Sequence, residues 1–236
     1  MKEQEQSAFV TGSTASLPYK GVIFDMDGTL IVSTEADYLA WERVFNDYGK
    51  QLSFAEYHPL LGIRSTNVVK EHLGLTGEEE VKKILKDKLD YFTEIIAADP
   101  IKPVLAAEAF LISMANYPVK VALATSSRKE KMKLVLEQLN FLQYFDVIVT
   151  GDEVENSKPA PDIFLKAAER LGLLPEECVV VEDGPAGVAA AKNAKMKCVA
   201  ITETHTFDRL HQADMVIDSY KNADFMEISK RLAGMS

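Results

Sequence analysis

Short apolar segments alternate with amphipathic segments over most of this sequence. In Lys20-GVIF-Asp25, three apolar residues follow one another without alternation, which is typical of a strand covered on both faces. Similar runs predict strands at 119–124, 147–150, 179–181, 198–202 and 216–218. Helical spacing predicts helices at 104–116, at 129–139, between Pro161 and Gly172, and from Pro185 onward. Strands that alternate with helices indicate βαβ units, so we expect an α/β fold with a parallel sheet.

The segment from 34 to 97 follows a different pattern, with helical spacing throughout and no strand signal. Its apolar and aromatic residues recur at helical intervals, as in Tyr38, Trp41, Val44, Phe45 and Tyr48. Prolines at 100 and 103 mark its end. We therefore expect an all-helical cap at 34–99, inserted into a core formed by 20–33 and 100–236. Residues 1–19 are polar and aperiodic, and we expect a flexible N-terminal arm there.

Polar residues cluster where the predicted strands end. They are found in Asp25-Met-Asp27, in Thr125-Ser126-Ser127, at Lys158 before a later helix, and in Glu182-Asp183. Ligands of open α/β sheets bind at the carboxyl ends of the strands. We therefore expect these four segments to meet in one crevice.

The chemistry of such a crevice follows from its residue types. Packed carboxylates repel one another unless a cation neutralises them, and all-oxygen ligands favour Mg²⁺. A phosphate would then be held by the metal, by Lys158 and by donors at 125–127. A carboxylate beside that phosphate can act as a nucleophile, and a second one two residues later can act as general acid and base.

Four segments resemble, in order and in spacing, the four motifs of the haloacid dehalogenase (HAD) superfamily. They are Asp25-Met-Asp-Gly-Thr-Leu30, Leu123-Ala-Thr-Ser126, Ser157-Lys-Pro-Ala-Pro-Asp162 and Val181-Glu-Asp-Gly-Pro-Ala-Gly187. The resemblance spans residues 20 to about 220 and implies a Rossmann-like core. The position of the helical cap is similar to that in the subfamily of β-phosphoglucomutase and sugar-phosphate phosphatases.

The resemblance implies a role for each matching residue. Asp25 would be the nucleophile and a metal ligand, and Asp27 the acid/base, binding metal through its backbone carbonyl. Thr125 and Lys158 would bind the phosphoryl group, to which Ser126 and Ser127 are expected to add donors on the grounds of their chemistry. Glu182 and Asp183 would complete the metal site.

Residues of the predicted cap are further candidates. Arg64 and Lys88 are candidates for binding the substrate. A histidine of the mutase corresponds to Asp37, and a carboxylate facing Asp27 would tend to raise the pKa of that residue. The basic run from Arg128 to Lys131 is interpreted as a solvated helix face.

The resemblance also exposes one departure in the predicted core. The glycine usual after the helix of the fourth motif is replaced by Lys195. A left-handed backbone there would cost roughly 1 kcal/mol.

Composition and charge limit the classes of partner and the cellular location that we expect for this protein. A net charge of −10 over 236 residues disfavours nucleic acid, whose phosphates require clustered Lys and Arg. The N-terminal segment lacks the apolar run of a secretory signal, and no run is long enough for a membrane helix. Cys178 and Cys198 are interpreted as buried free thiols. We therefore expect a cytoplasmic protein, a monomer or weak dimer, with a small phosphorylated metabolite as its partner.

These features together predict a Mg²⁺-dependent phosphatase that acts on a small phosphomonoester, a sugar phosphate or a related compound, through an aspartyl-phosphate intermediate. Three other enzyme classes are alternatives. A phosphosugar mutase shares every core motif, and a phosphoglycolate phosphatase is a further possibility. A haloacid dehalogenase lacks the second aspartate of the first motif, so Asp27 argues against it. A protein that only binds would lack the nucleophile or the lysine, and both Asp25 and Lys158 are present.

Overall fold

The structure is a computed structural model that describes residues 17–235. Most of the predicted N-terminal arm, residues 1–16, lies outside the described residues. At its end, Leu17 and Tyr19 are buried and pack in the hydrophobic core.

The chain builds an α/β structure around one parallel sheet, as the alternation of its apolar segments predicts. Eight strands occur in residues 17–235: β1 (Gly21–Phe24), β2 (Ile31–Val32), β3 (Lys102–Pro103), β4 (Lys120–Thr125), β5 (Val147–Thr150), β6 (Cys178–Glu182), β7 (Lys197–Ile201) and β8 (Met215–Ile217). Six of them form the parallel sheet in the order β5-β4-β1-β6-β7-β8. The five longer strand predictions are confirmed to within two residues at each end, and the short strand at 216–218 begins one residue earlier.

Ten α-helices occur in the same described range: α1 (Thr34–Asp47), α2 (Phe54–Tyr57), α3 (Ser65–Val68), α4 (Glu78–Ala98), α5 (Ala107–Ser113), α6 (Lys129–Gln138), α7 (Asp162–Leu171), α8 (Pro185–Asn193), α9 (Phe207–Leu210) and α10 (Phe225–Leu232). The first four, with one turn of 3₁₀ helix and one of π helix, form the helical insertion, residues 34–98. None of the described helices is both long enough and apolar enough to cross a bilayer.

Alternate side chains of each strand face opposite sides of the sheet, so the sheet carries two apolar layers. Val22 and Phe24 of β1 lie in one layer, whereas Ile23 lies in the other with Cys178 and Cys198. Both cysteines are buried free thiols, as expected. These layers hold the strand ends in register, and the functional side chains project from those ends.

The helical insertion has an apolar cluster of its own, which includes Trp41, Tyr57 and Ile84. The end of α4 instead joins the core of the sheet through Phe92 and Ile96. The short strands β2 and β3 pair antiparallel where the chain leaves and re-enters the sheet. The apolar pattern does not predict them, because each has only two residues. The exact boundaries of core and cap stay a prediction.

Lys195 follows α8 with a positive φ of 61°, the left-handed conformation anticipated for a position that glycine usually occupies. We expect Lys195→Gly to raise the free energy of unfolding by about 0.5–1 kcal/mol, because a Cβ is strained in this region. Urea denaturation measures the change. Lys133→Gly in the exposed face of α6 is the control, and it should lower the free energy by about 0.5–1 kcal/mol. Destabilisation by both substitutions would contradict the interpretation of strain at 195.

Candidate functional site

Three neighbouring strands deliver the polar residues to one edge of the sheet. β1 lies between β4 and β6, so Asp25 after β1 stands between Thr125 at the end of β4 and Glu182 at the end of β6. Lys158, from the loop before α7, reaches the same place. The predicted convergence of the four segments is therefore present in the structure.

Asp25, Glu182 and Asp183 form a buried cluster of carboxylates. One carboxylate oxygen of each lies within 4.8 Å of the others. The Nζ of Lys158 donates to Oδ1 of Asp25 at 2.5 Å and to Oε1 of Glu182 at 2.7 Å. Three carboxylates thus face one lysine, so that with all three ionised two negative charges lack a partner in this cluster.

Fixed donors orient the two carboxylates that follow β6. The backbone N–H groups of Asp183 and Gly184 donate to Oε2 of Glu182, at 2.8 and 2.7 Å. The hydroxyl groups of Thr29 and Thr204 donate to Asp183, the first at 3.1 Å. The cluster is therefore held in place by hydrogen bonds that do not depend on a ligand.

Two glycines leave the space that the carboxylates of Glu182 and Asp183 occupy. A Cβ on Gly187, in α8, would lie 1.6 Å from Oε1 of Glu182. A Cβ on Gly28 would lie 2.1 Å from Oδ2 of Asp183, and Gly28 also has a positive φ of 79°. Both positions therefore require glycine for the carboxylates to stay where they are.

The electrostatics of the cluster fit a divalent cation. Burial raises the pKa of Asp25 to about 7, with Glu182 adding to the effect and Lys158 opposing it. Burial, Glu182 and Asp25 raise the pKa of Asp183 well above its usual range. Both shifts mean that the charged forms lack positive compensation. Buried oxygen ligands with two uncompensated negative charges suit a hard divalent metal ion.

A second cluster surrounds Asp27. The hydroxyl of Ser33 donates to Oδ1 at 2.5 Å, the hydroxyl of Ser127 donates to Oδ2 at 2.7 Å, and the Nζ of Lys131 donates to Oδ1 at 2.8 Å. Burial alone would raise the pKa of Asp27, but Lys131 outweighs it and the pKa lies below its ordinary value.

Asp37, on α1, belongs to the same second cluster. Its Oδ1 accepts from Lys131 at 2.8 Å and from Lys88, and its Oδ2 accepts from the hydroxyl of Tyr57 at 3.0 Å. Against burial, the two lysines hold the pKa of Asp37 below its usual range. Asp37 does tend to raise the pKa of Asp27, as expected, but the ammonium group of Lys131 between the two carboxylates opposes that effect.

A cavity of about 320 Å³ lies between the sheet edge and the helical insertion. It is lined by residues of both clusters, by Thr125, Ser126 and Ser127, and by Trp41 and Phe92. Thr125 is buried, and its Oγ1 accepts from the backbone N–H of Ser127 at 3.0 Å. Hydroxyl and lysine donors therefore border a space next to Asp25 that a small anionic molecule can enter.

The two basic residues proposed from the cap have different positions. Lys88 is buried and lines the cavity. Arg64 does not line it in the described part of the chain. Its guanidinium donates to the backbone carbonyls of Gly151, Val154 and Glu155, at 2.6 to 3.0 Å, so it joins the insertion to the loop after β5.

Lys131 is the residue that the sequence interpretation missed. The pattern of charges around it predicts a solvated helix face, but Lys131 is buried and bonded to Asp27 and Asp37. A signal was available, since Lys131 lies four residues before Val135 and therefore on the buried face of α6. The charged neighbours Arg128 and Glu130 concealed it.

Known proteins are similar to this chain in sequence, and they include phosphatases. The sequence profile of the haloacid dehalogenase-like hydrolase family matches residues 22–201. Validoxylamine A 7'-phosphate phosphatase of Streptomyces hygroscopicus subsp. limoneus is 30% identical, covering 84% of this chain and 93% of that protein. The phosphorylated carbohydrates phosphatase of Thermotoga maritima is 36% identical, covering 74% of this chain and 81% of that protein.

A solved structure shares the fold over nearly the whole chain. The β-phosphoglucomutase of Clostridium difficile superposes with a TM-score of 0.82 at 26% identity, covering 92% of this chain and 98% of that one. The similarity between the two structures therefore covers the sheet and the helical insertion together.

The glycine beside Glu182 provides a test of the metal site that needs no enzymatic assay. Gly187→Ala should weaken Mn²⁺ binding about ten-fold or more, because the new Cβ displaces a carboxylate of the cluster. Isothermal titration calorimetry measures the affinity. Gly77→Ala is the control, since its Cβ would meet no atom closer than 3.9 Å. Equal Mn²⁺ affinity in Gly187→Ala and the control would contradict the assignment of Glu182 as a ligand.

Proposed function

The chain belongs to the haloacid dehalogenase-like hydrolase family, and we propose that it hydrolyses the phosphate ester of a small sugar-like metabolite. The observation that carries the proposal is the position of Asp25. It is a buried carboxylate that bonds Lys158, borders the cavity and stands two residues before Asp27, which has its own set of donors. A nucleophile and a separate acid/base are the two groups that hydrolysis through a covalent intermediate requires.

In the first step, a carboxylate oxygen of Asp25 forms a bond to phosphorus while the ester P–O bond breaks. The leaving alkoxide takes a proton from Asp27, which must enter this step as the carboxylic acid. The negative charge of a bound phosphate ester favours that protonation by raising the pKa of Asp27 above its value in the free protein. In the second step, Asp27 removes a proton from water, and the water oxygen displaces the Asp25 carboxylate from phosphorus. Inorganic phosphate is released and both carboxylates return to their starting forms.

The remaining residues hold the phosphoryl group and the metal. We expect Lys158, Thr125 and the hydroxyl and N–H donors at 126–127 to contact phosphoryl oxygens. Asp25, Glu182, Asp183 and the backbone carbonyl of Asp27 would be the ligands of a divalent cation, which we propose is Mg²⁺. When bound, that cation supplies positive charge that offsets the carboxylates and polarises the phosphoryl group.

The substrate class follows from the wall of the cavity and from the relatives. Beyond the phosphoryl site, the cavity offers polar groups from Asp37, Tyr57 and Lys88 beside the rings of Trp41 and Phe92. Alternating polar groups and rings suit a leaving group that carries several hydroxyls. The two phosphatases compared above are named for phosphorylated carbohydrates and for validoxylamine A 7'-phosphate, which supports the same class.

A phosphosugar mutase is the alternative, because the structural relative is a β-phosphoglucomutase. A mutase must protect its aspartyl phosphate from water until the sugar is in place. The histidine associated with that protection in the mutase is Asp37 here, and two lysines already neutralise Asp37. We therefore favour hydrolysis.

The covalent mechanism predicts a strict requirement for Asp25 and for the metal. Asp25→Asn should reduce phosphate release to background, because an amide cannot form the acyl phosphate. EDTA should abolish turnover in the wild type, and Mg²⁺ should restore it. Release of inorganic phosphate from a panel of sugar, polyol and nucleotide phosphates and phosphoglycolate measures both effects. Asp152→Asn, an aspartate that bonds the backbone of Lys129, is the control and should stay active. Full turnover by Asp25→Asn would refute the mechanism.

The choice between hydrolysis and isomerisation predicts which product dominates. With Mg²⁺ and β-glucose 1-phosphate, primed with the bisphosphate, we expect inorganic phosphate to form faster than glucose 6-phosphate. The reason is that the aspartyl phosphate has no cationic group at position 37 to delay its attack by water. Parallel assays of both products decide the matter. Glucose 6-phosphate forming much faster than phosphate would overturn the assignment as a phosphatase.

A further inference from the structure

Lys131 joins parts of the molecule that are distant in sequence. It lies on α6, beside the sheet, yet its Nζ is 2.8 Å from Oδ1 of Asp27 and 2.8 Å from Oδ1 of Asp37. The same ammonium group lies 5.0 Å from the centre of the Phe92 ring on α4. One buried cation therefore contacts the loop after β1 and both long helices of the insertion.

The side chain of Asp27 has three donors in the described part of the chain, and two of them connect it to α1. The carbonyl of Ser33 accepts from the backbone N–H of Asp37 at 2.9 Å, whereas Lys131 is the donor that also bonds the side chain of Asp37. Ser127 comes from the loop after β4, and Ser33 directly precedes α1. Each of those hydroxyls donates to Asp27 in these contacts, whereas Lys131 shares its protons between Asp27 and Asp37. The ammonium group of Lys131 thus links the orientation of the Asp27 carboxylate to the side chain of Asp37 on α1.

Lys88 stabilises the bridge that Lys131 forms between Asp27 and Asp37. It bonds the same oxygen of Asp37 and lies over the rings of Trp41 and Phe92, at 5.5 and 5.3 Å. Two carboxylates and two lysines are balanced in this second cluster, so it needs no further ion. Because the side chains of Lys88 and Lys131 are only 7% and 11% exposed, solvent weakens these pairs little.

We propose that Lys131 is a positioning residue, which sets the orientation of Asp27 according to whether Asp37 of the helical insertion is seated against it. This rests on the proposed function, in which Asp27 is the acid/base of hydrolysis. A carboxylate that must meet first a leaving oxygen and then a water molecule loses efficiency when its orientation is free. Seating the insertion over a substrate therefore completes the bridge that aims Asp27.

Replacing Lys131 tests the proposal. Lys131→Met removes the bridge and keeps an apolar stem of similar length over Phe92. We expect kcat for phosphate release to fall about 10- to 100-fold, with KM changing much less, because the lost contacts serve the acid/base and not the bound phosphoryl group. Lys133→Met is the matched control on the exposed face of the same helix, where Lys133 pairs only with Glu137, and it should keep wild-type kcat.

A double-mutant cycle separates positioning from loss of structure. Asp37→Asn should also lower kcat more than KM, and the double variant Asp37→Asn/Lys131→Met should be no slower than Lys131→Met alone, because both changes break one bridge. Effects on kcat that multiply would overturn the proposal, as would an unchanged kcat in Asp37→Asn. That single variant keeps the test available if Lys131→Met does not fold.

The same assays distinguish this inference from the proposed function. Wild-type protein without phosphatase activity, or Asp27→Asn with full activity, would refute the proposed function whatever Lys131 does. If both behave as expected and Lys131→Met matches Lys133→Met in kcat, the positioning role alone is refuted.

Discussion

Buried and half-buried carboxylates that must be neutralised are the constraint on which this structure depends. Five of them, Asp25, Asp27, Asp37, Glu182 and Asp183, meet three buried lysines beneath the helical insertion. Desolvated like charges repel strongly, so each carboxylate needs a cation or several hydrogen-bond donors. The loops at the strand ends and helix α6 supply these cations and donors around the cavity, and glycines leave space for the carboxylates.

The charges divide into two groups with different consequences. Around Asp25, three carboxylates share Lys158, and the remaining two negative charges create a place for a divalent cation. Around Asp27, the two aspartates are matched by Lys88 and Lys131. The first group has more carboxylates than lysines, whereas the second has equal numbers of both. This difference suits a site in which one carboxylate reacts with the substrate and another must keep a defined orientation.

The parallel sheet could be predicted because its strands are continuous apolar runs, and such runs have few other stable environments in a soluble protein. The residues at the strand ends could be predicted for the same reason, since topology brings the ends together wherever the strands lie. The sequence predicts a solvated Lys131 and leaves Arg64 as a candidate for binding the substrate, and neither prediction finds the contacts that these residues make. A long basic side chain looks the same in sequence whether it faces solvent or a polar group inside the protein. Its partners, Asp27 and Asp37 for the one and three backbone carbonyls for the other, come from distant segments.

By itself, the sequence determined the α/β class, the helical insertion after the first strand and the identity of the residues gathered around Asp25. Each of these depends on local periodicity or on the order of segments along the chain. Only the tertiary structure decided that Asp37 is neutralised, that Lys88 and Lys131 are buried beside it, and that the pKa of Asp27 lies below its ordinary value. The physical reason is that charge interactions depend on distance and burial, and α1, α4 and α6 acquire both only when the insertion packs against the sheet.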